Sequence, residues 1–392
     1  MIIRLINKGI VSIIVPLLKW FTSIHESRLV FQGRPDYSDN PRALSDYLVA
    51  NQLYNNFQIY WLVSNAKKYR KKYPNANVTF ISLYSIWRIR NIRAYYIHLT
   101  SKYVFASHNF LIDYSTISKE QQYILLWHGC GYKDNTTQGG KRFFSKALVS
   151  GPIFLKTKAK FWNTEEQYLI AKGYPRYDWL LHPSKKAQDV YTHLNVLGKK
   201  VILWMPTFRN SKTGISYGED AIKNFPILKS HAEWEQLDEV CSMNNIVLFI
   251  KLHMSQKSYN LDFKSFSSIK MIEENDFESI GIQKYEFLGI IDALISDYSS
   301  VAIDFLITNK PIAFTLDDYD DYKRLRGFVF ENPLDYMPGH HLYTLQDLSQ
   351  FIIDIKEGND PYAKKREQVS KEAIFRTDCY CKELINSILK IS

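Results

Sequence analysis

Short hydrophobic runs that stop abruptly at polar or glycine residues recur along this 392-residue chain, and they constrain its fold more than any other feature. Residues 123–127 are apolar or aromatic and end at His128, Gly129, Cys130 and Gly131. Residues 246–250 are wholly apolar and lead into Lys251, Leu252 and His253. A third run, 293–295, leads into Asp297 and then Ser299 and Ser300. Strands buried on both faces and closed by polar residues belong to open parallel sheets, which bind ligands outside the carboxyl ends of their strands. Two imidazoles, a lysine and paired hydroxyls are therefore expected to converge on one crevice.

The same pattern predicts strands at 28–33, 57–64, 77–83, 103–107 and 160–162, with a helix at 40–52 between the first two. A second series follows, with strands at 201–207, 247–252, 293–295 and 311–315 and helices at 234–244 and 301–308. Alternation of this kind builds βαβ units. The strand-free stretch 179–198, which contains Pro183, is the expected hinge. Thr344 opens a Thr-x-x-Asp capping pattern for a helix that ends at Gly358, and further helices lie on either side of Thr377. The expected fold is α/β and GT-B-like: two Rossmann-type domains, 26–185 and 186–392, with a ligand cleft between them. A leader, 1–25, precedes them.

Length agrees with two domains, since 392 residues exceed one ordinary domain. A formal net charge of +10 calls for an anionic partner such as a phosphate polymer or membrane headgroups. No nucleic-acid-binding motif accompanies the charge, so no nucleic acid partner is expected. Four cysteines in a chain this long make no disulfide framework, which points to a reducing compartment. In the leader, residues 9–18 form an apolar run between Lys8 and Lys19. That is about half the span a bilayer requires, and no small-residue cleavage site follows it. The run is expected to form an interfacial helix or a helix packed on the protein's own core.

Histidine has the proton affinity to deprotonate an alcohol near neutral pH, which makes His128 a candidate base. The glycines around Cys130 permit close backbone approach. A third glycine is missing, which excludes a dinucleotide fingerprint. Lys251 and His253 share one side of their strand and can neutralise a diphosphate, or can be core residues. Ser299 and Ser300 can cap a helix or meet a phosphate at its start. Arg176 and Arg209 follow turn prolines, where they can serve as phosphate ligands or surface charges. His108 is a further strand-end histidine. The carboxylates of 317–321 are expected to form an acidic loop rather than a metal site.

Taken in order, Trp127-His128-Gly129, the Gly-Tyr-Pro-Arg-Tyr-Asp run at 173–178, Pro-Thr-Phe-Arg at 206–209, Lys251-Leu252-His253, the run 296–304 and Arg-Gly-Phe at 326–328 resemble the CDP-glycerol:poly(glycerophosphate) glycerophosphotransferase family, the teichoic acid primases and polymerases. The resemblance spans about 28–330. It departs at Cys130 and Gly131, where the family has Thr-Pro, and at Met254, where it has Pro. It implies transfer of glycerol phosphate or ribitol phosphate from CDP-glycerol or CDP-ribitol to a lipid-linked saccharide or polyol-phosphate acceptor, with release of CMP. No cofactor or metal is obligatory. It implies catalytic roles for His128 and His253. The donor region would take in Gly129, Cys130, Gly131, Tyr132, Arg176, Thr207, Arg209, Lys251, Leu252, Ser299, Ser300 and Asp304. Lys133, Arg88, Arg90 and Arg93 would serve the acceptor or an anionic membrane. With the basic cluster 67–72 and the leader, they imply peripheral attachment to the cytoplasmic face of a bacterial membrane. Rival readings are transfer from a nucleotide sugar, and a non-catalytic polymer-binding protein.

Overall fold

The computed structural model describes residues 2–75, 77–85, 87–134, 140–207, 225–252 and 262–389. The amino-terminal half carries β1 (His25–Gln32), β2 (Gln58–Val63), β3 (Val78–Ser82), β4 (Ser101–Ala106), β5 (Gln122–Leu125), β6 (Lys146–Leu148) and β7 (Leu169–Ile170), in the order β3-β2-β1-β4-β5-β6-β7. The carboxyl-terminal half carries β8 (Lys200–Trp204), β9 (Ile246–Ile250), β10 (Ile269–Met271), β11 (Ala293–Ser296), β12 (Ile312–Thr315) and β13 (His340–Leu342), in the order β10-β9-β8-β11-β12-β13. Every pairing in both sheets is parallel. Strand order reverses direction between β1 and β4 and between β8 and β11. Those two switch points are where a crevice must open.

The predicted strands correspond to observed ones except at 160–162. Those residues end the helix Leu155–Phe161, with Trp162 as its cap. Trp162 packs edge-on against Trp127 and Phe144, so the short apolar run is a helix end filling the core rather than a strand. The strands the sequence did not announce, β6, β7, β10 and β13, are two or three residues long. The stretch 179–198 holds short helices and no strand. Thr344 caps Leu345–Glu357 in a full capping box, and Gly358 closes that helix at φ 75°. The final helix, Tyr380–Ile388, was expected with the second half but is anchored on the first. The Asp178 carboxylate accepts from the backbone N–H groups of Tyr380 and Cys381 at 2.7 and 2.9 Å.

The leader is helical over Ile2–Gly9, Ile10–Ile14 and Val15–Trp20, the middle segment in a wider π turn. Ile10 and Val15 are buried with Tyr95 and Leu99 of the helix Ile92–Thr100. Leu5, Ile13, Leu17 and Trp20 face outward. Right-handed crossovers put the helices Asp39–Ala50 and Ala66–Lys72 on one face of the first sheet and Ile92–Thr100 on the other. The separate core clusters of Leu44 with Tyr69 and of Tyr95 with Ile10 agree. The basic cluster 67–72 therefore does not share a surface with the leader. Its Lys72 instead pairs with Glu278 of the other half at 2.9 Å, and Arg70 donates to the Phe80 carbonyl.

The two halves meet through buried polar contacts. Arg176 donates to Asp39 of the first half and Asp304 of the second, both at 2.6 Å. Tyr177 and Tyr285 hydroxyls also donate to Asp304. Nearby, Val329 N–H donates to the Tyr132 carbonyl at 2.8 Å, and Asp134 N–H to the Gly327 carbonyl at 3.2 Å, a strap between halves. Breaking a buried ion pair by removing one partner costs about 3–5 kcal/mol, because a carboxylate is left without its cation. Arg176→Ala is thus expected to lower unfolding stability by roughly that amount, measured by chemical denaturation. A change below about 1 kcal/mol, the range of an exposed pair, would contradict the clamp.

Candidate active site in the cleft

A cleft of about 250 Å³ opens between the halves where both switch points predict it. The end of β1 supplies Arg34, and the end of β4 supplies His108. His128 comes from beyond β5, Lys251 and Leu252 from beyond β9, and Ser299 and Ser300 from beyond β11. Successive strands end in residues of different chemistry, and the parallel sheets aim all of them into one space.

His128 sits on a strained turn. Trp127 has φ 55°, rarely adopted by a bulky residue, and such strain gathers at functional sites. The buried Asn40 side chain holds the turn by donating to the Trp127 carbonyl at 2.9 Å, and its own oxygen accepts from Arg176 N–H at 3.1 Å. The Arg176 guanidinium also donates to the His128 carbonyl at 3.1 Å. The His128 ring lies flat against His108, with centroids 4.4 Å apart and planes 9° from parallel. Its Nδ1 is buried, near the Ser107 backbone but without a hydrogen bond of standard geometry. Burial, followed by the His108 charge, pushes its pKa down to about 3, while Asp39 pulls the other way. Its surroundings thus favour the neutral imidazole.

Gly129 and Gly131 serve contact between the halves. A side chain at Gly129, which has φ 127°, would run into Ser300 Oγ at 2.5 Å. One at Gly131 would come within 3.0 Å of Ser300 N. The glycines let the histidine loop touch the start of the helix Ser300–Phe305. Cys130 and Tyr132 alternate away from the cleft into the core. Cys130 lies 3.2 Å from the Tyr174 hydroxyl, and Tyr132 donates to the Tyr336 carbonyl at 2.8 Å.

On the donor side, Ser299 is the helix cap residue, yet its hydroxyl makes no capping bond. Asp297 is buried and accepts from the N–H groups of Thr207 at 2.6 Å and Ser299 at 3.2 Å, tying the ends of β8 and β11 together. Thr207 also donates its hydroxyl to Asp297. Lys251 pairs with Glu274 at 3.1 Å. Asp304, expected near a ribose, is fully buried beneath the cleft and occupied by Arg176, Tyr177 and Tyr285. It anchors the clamp and has no surface to offer a ligand. Arg176 reaches the cleft edge, but its charge is matched by two carboxylates.

His253 and Arg209 lie outside the described residues, so their placement is not part of the site as drawn here. Lys133 belongs to the strap, bridged to Phe328. Arg88, Arg90 and Arg93 lie beside the leader and away from the cleft. Asn7 of the leader donates to the Arg88 carbonyl at 3.1 Å and accepts from Arg90 N–H at 2.7 Å. Arg90 is further tied to the Tyr95 hydroxyl, which leaves Arg88 and Arg93 as the exposed charges there. The carboxylates of 317–321 are engaged locally. Asp317 accepts from Ile227 N–H and pairs with Lys229, Asp318 accepts from Tyr298, and Asp321 pairs with Arg324.

Two cleft cations went unread in the sequence. Arg34, whose backbone N–H donates to Ser107 Oγ at 3.2 Å, and Lys284 both line the cleft with no carboxylate in ion-pairing distance among the described residues. Burial lowers the pKa of Lys284. Glu274 and Asp39 raise it again, and Lys251 and Arg176 add repulsion. The only sequence signal for Lys284 is a basic residue opening a helix, Lys284–Ile290, too common to single out. A half-buried cation such as Lys284 without a close counter-charge is stabilised by an anionic ligand.

Two parallel-sheet domains joined across a cleft with this geometry define a GT-B-like α/β protein. The chain belongs to the CDP-glycerol:poly(glycerophosphate) glycerophosphotransferase family, whose sequence profile matches residues 14–385. It is 26% identical over 399 residues to a teichoic acid glycerol-phosphate transferase of Staphylococcus aureus, covering 93% of this chain and 94% of that one. It is 31% identical over 277 residues to a teichoic acid poly(ribitol-phosphate) polymerase of Bacillus spizizenii, covering 66% of this chain. The chain spans 42% of that polymerase's length and 40% of a ribitol-phosphate polymerase of Staphylococcus aureus. In fold it resembles the wall teichoic acid polymerase TagF, with a TM-score of 0.73 at 19% identity over 98% of this chain and 95% of that one.

Lys284→Ala is expected to weaken binding of CDP by roughly tenfold, the effect of losing about 1.4 kcal/mol, in isothermal titration calorimetry. Equal affinity in the variant and the native chain would remove Lys284 from the site.

Proposed function

We propose that this protein transfers a polyol phosphate, glycerol phosphate or ribitol phosphate, from a CDP-activated donor to a hydroxyl of a lipid-linked acceptor, and releases CMP. The observation that carries this reading is that the His128 imidazole lines the same cleft as the hydroxyls of Ser299 and Ser300 and the cations Lys251 and Lys284. The acceptor oxygen attacks the donor's β-phosphorus, and His128 takes the hydroxyl proton. The bond from that phosphorus to the bridging oxygen breaks, and the electron pair leaves with CMP. Ser299, Ser300, Lys251 and Lys284 meet the charge that develops on the leaving phosphate, as preorganised donors do in a water-poor site. His253 and Arg209 keep the roles the family resemblance implies, on the donor diphosphate. The amino-terminal half supplies the acceptor side and the carboxyl-terminal half the donor side. Negative charge from the bound diphosphate raises the affinity of His128 for a proton and so strengthens a base that burial weakens.

The acceptor is held at an anionic membrane surface. Among the described residues no helix is long and apolar enough to cross a membrane. The outward stripe of the leader, Ile6, Ile13, Leu17 and Trp20, is continued by Trp87 and Ile92, with Lys19, Arg88 and Arg93 around it. Apolar residues ringed by basic ones suit insertion to headgroup depth on an anionic leaflet.

Purified protein with CDP-glycerol or CDP-ribitol and a lipid-linked acceptor is expected to release CMP, with product extended by one polyol-phosphate mass. Release of a nucleoside diphosphate from a nucleotide sugar would favour sugar transfer instead. His128→Ala is expected to lose about 10²–10⁴-fold in turnover while keeping donor affinity, and full turnover would remove it as the base.

The full chain is expected to sediment with anionic vesicles and to be released by high salt, which screens the basic residues. The paired substitution Leu17→Ser and Trp20→Ser should weaken binding by about tenfold or more, at roughly 1.5–3 kcal/mol for each large side chain. Equal binding to neutral and anionic vesicles would contradict the electrostatic part.

A further inference from the structure

His108 is in direct ring contact with His128, and the reaction scheme leaves it without a task. It follows β4, half-buried at the cleft wall, and its Nδ1 is 3.0 Å from Ser107 Oγ. That hydroxyl is itself held by the Arg34 N–H. The His108 ring therefore has a fixed plane, and His128 lies parallel to it at 4.4 Å, with Trp127 against His128 at 3.9 Å. The charged groups facing the pair are Asp39, which favours protonation of both rings, and Arg176, which opposes it in both. Arg34 further opposes protonation of His108.

A stacked imidazole pair at this separation cannot carry two protons, because two like charges would face each other in a buried site. Donor binding sharpens the problem. A diphosphate entering beside Ser300 favours the protonated form of His128, and the fraction that is protonated accepts no proton from a hydroxyl.

We propose that His108 is a positioning residue for the His128 base: it fixes the ring plane by stacking, and by competing for the one proton the pair can hold it lowers the protonated fraction of His128 while the donor diphosphate is bound. This rests on the reading of His128 as the base. The step starts from the state in which both rings are neutral: the acceptor's proton moves to His128, and His108 stays neutral beside the imidazolium that forms. The pair thus holds at most one proton throughout the cycle.

The test uses the full chain saturated with CDP-glycerol, with ¹³C-labelled histidine rings followed by NMR through a pH titration and the His128 signal assigned from a His128→Asn spectrum. His108→Phe keeps a flat stacked ring and removes the second titrating group. His108→Asn is measured alongside it, so that a folding defect in one variant leaves the other to report. The expected result is that the His128 protonation equilibrium shifts toward the charged form by about threefold or more, half a pKa unit. The acid limb of kcat/KM should move to higher pH with it, and the high-pH plateau of His108→Phe, which keeps the stacked ring, should fall by less than the loss expected for removing the base itself. A His128 titration unchanged in both folded variants would overturn the proposal. A shifted titration with an unmoved acid limb would uphold the stack and overturn His128 as the base.

Discussion

The buried contact of Arg176 with Asp39 and Asp304 is the constraint on which the rest of the cleft depends. Each half alone is an ordinary parallel sheet whose strands end at a surface. Only when the halves are held at a fixed distance do His128 and Ser300 become parts of one site. The clamp does this with charge rather than apolar surface. Such pairs gain little net stability over a hydrophobic substitute, yet they are costly to break and specific in geometry. The same guanidinium donates to the His128 carbonyl, so the element that joins the halves also holds the loop that carries the base.

Packing beneath the cleft follows from that join. Gly129 and Gly131 are bare because Ser300 occupies the space a side chain would need. Asn40 bonds the turn on one side and the clamp on the other. Asp297 performs the matching task in the second half by tying β8 to β11. The polar groups lining the cleft include cations, hydroxyls and imidazoles, and its two carboxylates among the described residues, Asp39 and Glu274, are paired with Arg176 and Lys251. That residue of chemistry is suited to a diphosphate and a hydroxyl.

Much of this was legible in the sequence, and the physical reason is simple. Strands buried on both faces must be continuous apolar runs, so 246–250 and 293–295 announce themselves and so do the polar residues that end them. Alternation then gives two parallel sheets, and the switch-point rule gives the cleft. What remained hidden has equally physical causes. Strands of two or three residues carry no periodicity, and a run such as 160–162 is too short to tell a helix end from a strand. Cys130 and Tyr132 share a loop with His128, but their backbone turns them into the core. Asp304 resembled a ligand-binding carboxylate until its partners were seen to come from 128 residues away in the chain. Arg34 and Lys284 are common residue types at common positions. Their significance lies in facing the cleft with no carboxylate in ion-pairing distance among the described residues, a property of the assembled cleft alone. The basic cluster 67–72 was separated from the leader by crossover handedness, which no local pattern encodes.

The most direct measurement of the central claim is the crystal structure of the His128→Asn protein with CDP-glycerol bound. The account predicts the diphosphate inside the cleft, its oxygens within hydrogen-bonding distance of Ser299 and Ser300 and the β-phosphorus turned toward residue 128. A diphosphate bound outside the cleft, or one whose β-phosphorus faces away from residue 128, would contradict it.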